Sequence, residues 1–86
     1  MPGNAAARWG HKDIAGLLLA KGANVNAKAE DGRTSLHSAA LSGHKDLAEL
    51  LLAKGAIVNA KGNDEQTPLH VAARSDKIGV VELLLA

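Results

Sequence analysis

The chain repeats itself every 33 residues without a gap, and this feature constrains its fold more than any other. Residues 4–30 are identical to residues 37–63 at 18 of 27 positions, and residues 31–53 match residues 64–86 at 12 of 23. A fixed period of this length indicates one supersecondary unit that is stacked several times, with each unit burying its apolar face against the next. The sequence therefore predicts an array of similar units.

The apolar residues suit closely packed helices. They make up 47% of the 86 residues and are mostly Ala, Leu and Val, with one Trp and no Phe or Tyr. No aromatic cluster is available to anchor a single globular core. A chain of this length buries only about 60–65% of the surface that it exposes when unfolded. Its stability must therefore come from well-ordered, repeated packing.

Each unit carries the signals of two short helices joined by turns. Thr34 and Thr67 are favourable N-cap residues, and Pro68 occupies a first helical position, where proline is tolerated. Gly43 is expected to end the shorter helix, because glycine readily takes the left-handed conformation common after a helix. We predict helices over residues 11–20, 35–42, 44–53, 68–75 and 77–85, and a hairpin-like turn at residues 30–33.

The apolar spacing predicts which faces of these helices are buried. Leu36, Ala39 and Ala40 follow the i, i+3, i+4 spacing of one helical face, and its small side chains allow a close neighbour. Three leucines that recur with the repeat are expected at equivalent buried positions of the longer helices: Leu17, Leu50 and Leu83.

The order of these motifs resembles a known family. The sequence reads Asp-Gly-Arg-Thr-Ser-Leu-His at residues 31–37, Gly-Ala-Ile-Val-Asn-Ala at residues 55–60 and Thr-Pro-Leu-His at residues 67–70. Together they resemble the ankyrin repeat over at least residues 4–86. A tetratricopeptide repeat fits less well, because its period is 34 and it lacks a turn-rich hairpin. The resemblance implies an all-α solenoid of stacked helix-turn-helix units joined by β-hairpin-like loops, with a concave surface formed by hairpin tips and shorter helices.

We expect residues 1–86 to form a single ankyrin-repeat domain of three units. Unit 1 (residues 1–30) and unit 3 (residues 64–86) are truncated, whereas unit 2 (residues 31–63) is complete. Unit 3 is expected to be the weakest, because residues less suited to a left-handed backbone replace two glycines of unit 2, one of them in the turn before the shorter helix, and because a glycine lies inside its second helix. Self-association through the uncapped ends is a further expectation. The replacements are Glu65 for Gly32, Asp76 for Gly43, and a helical Gly79.

The four histidines are the residues most typical of a catalytic or metal-binding site. His37 and His70 recur at the third helical position after a threonine, and His11 and His44 recur at the start of the longer helix. The resemblance implies that His37 and His70 hold adjacent units together by hydrogen bonds. A histidine-dependent enzyme or metal protein would require all four to converge. No nucleophile elbow or glycine-rich phosphate loop accompanies the serines, so we expect no catalytic activity, cofactor or metal.

Charge and composition also bear on the partner and the compartment. The formal net charge is +1, no run of like charge occurs, and no apolar stretch approaches the ~20 residues of a membrane helix. The lysines that recur in register are expected to form a solvated face, so neither nucleic acid nor membrane is an expected partner. With no cysteine and no signal peptide, we expect a soluble intracellular protein, in a compartment that the sequence does not determine.

Binding residues are sought where the units differ while the scaffold stays the same. The resemblance implies that these positions face the concave surface and that the chain is a non-enzymatic protein–protein interaction module. The alternative is an interior structural fragment of a longer solenoid whose binding or catalytic site lies elsewhere. The candidate residues are Arg8, Trp9, Glu30, Asp31, Arg33, Leu41, Ser42, Asn63, Asp64, Gln66, Arg74 and Ser75.

Overall fold

The computed structural model describes residues 24–86, together with Gly16 and Gly22. Gly16 is helical, whereas the rest of the helix predicted over residues 11–20 lies outside the described residues, as do Arg8, Trp9 and Leu17. Within residues 24–86 the chain forms helices and no strands, which confirms the all-α prediction. The helices are α1 (Ser35–Ser42), α2 (Lys45–Ala53), α3 (Pro68–Arg74) and α4 (Ile78–Leu85).

The predicted caps set the ends of the shorter helices. Thr34 and Thr67 have extended backbones (φ −102°, ψ 175° and φ −91°, ψ 166°), and α1 and α3 begin at the residues that follow them. Gly43 takes the left-handed conformation after α1, with φ 75°. Asp76 takes it at the equivalent place in unit 3, with φ 57°. The chain therefore reverses direction in the same way in both units.

The longer helices begin one residue later than predicted. His44 and Lys77 have ψ values of 82° and 73°, outside the helical region, and α2 and α4 start at the residues after them. Their backbone N–H groups instead donate to Ala39 and Ala72, at 3.0 and 2.9 Å, closing the turn that follows the shorter helix. Both residues are therefore the N-caps of their helices, and the first helical residue follows each of them. Helix α3 likewise ends at Arg74, one residue before the predicted end.

The units stack helix on helix. Helix α1 packs against α3, and α2 packs against α4, while each pair also packs within its own unit. One buried cluster joins α1 to α2, and a second joins Ala40 of α1 to α3 and α4. The alanines of α1 let the neighbouring helices approach closely. The two clusters consist of Leu36, Ala39, Leu47, Ala48 and Leu51, and of Ala40, Val71, Ala72 and Val80.

Leu50 and Leu83 both pack against the buried cluster of α1 and α2, but each is only half-buried, so the prediction that they are buried is wrong. Leu47 and Leu51 hold the centre of the α2 face instead. Leu50 lies to one side, where a Cβ atom placed on Gly16 would come within 3.6 Å of its Cδ2 atom. Leu50 therefore contacts the preceding part of the chain, at the edge of the core.

None of the helices in the described part of the chain combines the length and the apolar character that crossing a lipid bilayer requires.

Candidate functional site

Two tight turns, here called the tips, precede the shorter helices: residues 29–33 before α1 and residues 62–66 before α3. In the first tip, Gly32 N–H donates to Ala29 O at 2.9 Å, and Ala29 N–H donates to Arg33 O at 2.9 Å. The Asp31 carboxylate accepts a third bond from Arg33 N–H at 3.0 Å. The hairpin-like turn predicted at residues 30–33 is confirmed.

The second tip repeats this arrangement. Glu65 N–H donates to Gly62 O at 2.9 Å, and Gly62 N–H donates to Gln66 O at 3.0 Å. The Asp64 carboxylate accepts from Gln66 N–H at 3.1 Å. This bond lowers the pKa of Asp64, and the hydrogen bond from Arg33 lowers it further, to a smaller extent. Glu65 takes the left-handed conformation predicted for this position, with φ 65°.

The two tips are joined to each other. Asn63 donates its backbone N–H to Asp31 O at 2.8 Å and its side-chain Nδ2 to Glu30 O at 2.9 Å. Arg33 Nη2 lies 3.0 Å from Asp64 Oδ2 in an ion pair. A Cβ atom on Gly32 would lie 2.5 Å from Asn63 Oδ1, so only glycine fits beneath the second tip. Four predicted binding residues therefore also bind one another: Asp31, Arg33, Asn63 and Asp64.

His37 connects the units just behind the tips. Its Nδ1 accepts the Thr34 backbone N–H at 3.0 Å, which leaves the proton on Nε2. Nε2 in turn lies 2.8 Å from the Gln66 carbonyl oxygen of unit 3 and donates to it. Burial of the imidazole lowers the pKa of His37, with Arg33 adding to this effect and the Gln66 carbonyl opposing it. The inter-unit role that the resemblance implies for this histidine is confirmed.

His70 repeats the local half of this arrangement. Its Nδ1 accepts the Thr67 backbone N–H at 3.0 Å, and the Thr67 hydroxyl accepts His70 N–H at 3.3 Å. The side chain is exposed, and its Nε2 has no hydrogen-bond partner among residues 24–86. The two histidines thus share a helix-capping role, but only His37 links two units in the described part of the chain.

A depression of about 130 Å³ lies between the two tips and the ends of α1 and α3. The Arg74 side chain spans part of it, with Nη1 donating to Gln66 Oε1 at 2.7 Å. Leu41 is 50% exposed at its edge. Five of its six lining residues are among those predicted from the differences between units. The lining residues are Arg33, Leu41, Gln66, Val71, Arg74 and Ser75.

Val71 is the one lining residue that the sequence reading missed. It occupies the position that Ser38 holds in unit 2, so the same difference between units marks it. Its apolar side chain is equally typical of a core residue. It does belong to the core, since it is buried against Ala40 and Val80, and it also forms part of the wall of the depression.

The remaining candidates lie elsewhere. Glu30 is exposed on the first tip, and Ser42 is the half-buried last residue of α1. In the part of the chain that the structure describes, no three His, Asp or Glu side chains come together as metal ligands would. The arrangement provides an exposed leucine, polar groups and cations, held on a rigid support.

Repeated helix pairs that stack in register, with cross-linked turns along one edge, define a helical repeat protein. The family model for ankyrin repeats matches residues 4–86 in three copies, and the chain belongs to this family. Ankyrin repeats generally serve as protein-interaction modules and are typically not catalytic. No curated protein sequence gives a significant match to the chain.

Proposed function

We propose that this chain is a non-enzymatic module that binds a partner protein on the surface formed by its tips and by α1 and α3. One observation carries the proposal: residues singled out because they differ between units gather around one depression. Arg33 and Leu41 come from unit 2, and Gln66, Arg74 and Ser75 come from unit 3. Residues that vary on a common scaffold are the ones expected to determine specificity.

The size of the depression favours a protein over a small molecule. Sites that enclose metabolites or drug-sized ligands usually measure roughly 300–1,000 Å³. At about 130 Å³, the depression accommodates part of a side chain but not such a ligand. Arginine is also a residue type enriched at protein interfaces. A partner would thus place one side chain here and spread over the neighbouring tips.

The scaffold beneath the surface supports binding because it is already ordered. The tips are held by Asn63 and by the Arg33–Asp64 pair, and His37 anchors the backbone at Gln66. A surface that is ordered before binding loses less conformational entropy when the partner docks. Affinity can then come from a small number of contacts.

The test compares two substitutions, each of which replaces an exposed aliphatic side chain of the same size with a charged one. Leu41→Asp alters the edge of the depression, while Ile57→Asp makes a similar change at a side chain of comparable exposure on the connector after α2. Proteins retained by the immobilised chain from a cell extract are quantified by mass spectrometry. We expect a partner held by the wild type and by Ile57→Asp to be lost with Leu41→Asp. A partner that Leu41→Asp retains would contradict the proposed surface.

An alternative function is that of a structural segment within a longer solenoid. It is favoured by Asn59 and His70, which recur in register with two unit-linking residues. These are Asn26, whose side chain bonds to the backbone of Gly55 and Ile57, and His37. The gene sequence that follows the codon for Ala86 tests it. A further unit beginning with a Lys-Gly-Ala-type sequence would support this alternative, and a stop codon would support a self-contained module.

A further inference from the structure

We propose that the depression binds the carboxylate of an Asp or Glu side chain in the partner, with an adjacent apolar side chain of the partner resting on Leu41. The proposal deepens the proposed function and depends on it. It is carried by the charges and contacts of the side chains that line the depression.

Arg74 is the principal anion-binding group. Its side chain is exposed, and its hydrogen-bond partner in the described residues is the neutral Gln66 amide, at 2.7 Å from Nη1. The amide orients the guanidinium without neutralising it. Arginine has five N–H donors in a planar fork that matches a carboxylate. Donors and a full positive charge therefore remain for a ligand.

Arg33 adds a second cation to the lining of the depression, but Asp64 offsets its charge. Arg33 Nη2 lies 3.0 Å from Asp64 Oδ2, and the two side chains are 26% and 47% exposed. An incoming anion gains from Arg33 and is repelled by Asp64. With Arg74, the three groups carry one net positive charge. That charge suits one carboxylate better than a polyanion such as nucleic acid, whose binding depends on many cations.

Leu41 accounts for the expected preference for an apolar side chain next to the carboxylate. It is half exposed at the edge of the depression, although the equivalent residue in unit 3 is Arg74 and the equivalent residue in unit 1 is Arg8. Apolar surface beside a cation matches a ligand with an acidic residue next to an apolar one. Burial of the leucine would supply affinity, and the charge pair would supply orientation.

The experiment uses a displayed library of random peptides, selected on the immobilised wild-type chain. Selected sequences are resynthesised with amidated C-termini, so that their carboxylates belong to side chains, and their affinities are measured by fluorescence anisotropy. We expect an Asp or Glu next to an apolar residue in the selected peptides. Arg74→Gln should weaken their binding about tenfold or more, because it removes a charge-assisted hydrogen bond.

Lys54→Gln is the matched control, since it removes the same charge from an exposed residue at the end of α2, away from the depression. It should leave the affinity unchanged, and thermal melts should show all variants folded. Raising the salt concentration should weaken peptide binding to the wild type more than to Arg74→Gln. Equal binding by Arg74→Gln and the wild type would overturn the proposal.

The remaining outcomes separate this proposal from the proposed function. If the selected peptides lack acidic residues but lose binding with Leu41→Asp, the carboxylate assignment is wrong and the surface stands. If neither Leu41→Asp nor Arg74→Gln affects binding, both fail. A library that yields no binder, or peptides that bind only with a free C-terminus, also overturns the carboxylate assignment, while the extract experiment still tests the surface.

Discussion

The side-chain oxygen of Asn26 accepts a 2.8 Å hydrogen bond from the backbone N–H of Ile57, so one asparagine joins the connectors of two successive units. The same side chain donates Nδ2 to the carbonyl of Gly55 at 3.1 Å. Because an amide has a donor on one side and an acceptor on the other, the two bonds fix the register of the connectors. This contact lies in the connectors rather than in the tips, and like the contacts between the tips it joins neighbouring units.

Asn26→Ala should therefore lower the free energy of unfolding by about 1–2 kcal/mol, through the loss of two inter-unit hydrogen bonds. Asn59 is the matched control, because it occupies the same position in the next unit and makes no such bonds in the described residues. Urea denaturation of both variants measures the difference. Equal losses would show that the substitution acts through local turn propensity alone.

His37→Ala should destabilise the chain by about 1–3 kcal/mol, the cost of leaving buried hydrogen-bonding groups without a partner. His70→Ala should cost less, since His70 is exposed and makes only local contacts. Neither change should abolish peptide binding at the depression. Thermal melts and anisotropy assays check both statements. A loss of metal or of catalytic activity with stability unchanged would favour a chemical role instead.

Stability should fall in mild acid because of His37. Burial lowers the pKa of this histidine from its ordinary value of 6.5, so the unfolded chain takes up a proton more readily than the folded chain. The contribution of the neutral His37 side chain to folding stability is fully present above pH 6.5. It is lost as the pH falls through the lower pKa that His37 has in the folded state. Urea titrations across this range measure the effect. His37→Asn should reduce the slope, and an unchanged slope would contradict this account.

Glu65→Gly should stabilise the chain by about 0.5–1 kcal/mol, because Glu65 holds a left-handed backbone (φ 65°) that glycine adopts without a steric penalty. Gly32→Ala, at the equivalent position of unit 2, should do the opposite and by more. Its added Cβ would lie 2.7 Å from the backbone nitrogen of Asn63. Differential scanning calorimetry tests the pair. Two shifts of the same sign would refute this account.

The 86-residue chain should self-associate at high concentration through the exposed apolar face of α4. Ile78 and Leu85 lie two helical turns apart on that face and are 68% and 67% exposed. Ile78→Lys restores the residue type of Lys45 in unit 2 and, combined with Leu85→Gln, should favour the monomer. Light scattering measures the change. The double variant should differ from Ile57→Asp, which alters an exposed isoleucine outside α4.

Local signals accounted for most of the fold. The threonine caps and the glycine after α1 act within a few residues, so their effects on helix ends could be read from the sequence. The one-residue shifts at His44 and Lys77 could not, because they depend on how the chain turns between two packed helices. The burial of Leu47 in preference to Leu50 depends on the rotation of α2 against its neighbours, which a periodic pattern leaves open.

The candidate site was only partly predictable for the same reason. Differences between units marked Arg33 and Arg74 as variable, and the structure brings both to one depression. The sequence did not show that Asn63 and Asp64 also cross-link the tips, since that requires the spacing between units. A signal for Asn26 was present, because the asparagine recurs unchanged at residue 59.

The close approach of Asn63 to Gly32 limits how the units of this chain can be rearranged. The second tip packs against the first only because residue 32 of the first tip is a glycine, with no side chain to meet Asn63. The equivalent residue of the second tip is Glu65, which has a side chain. A shuffled chain that placed the 62–66 turn ahead of another asparagine-bearing turn would meet a Cβ where Gly32 leaves room. The order of neighbouring units is therefore fixed. If two units were exchanged, Gly32 and Glu65 would also have to be exchanged.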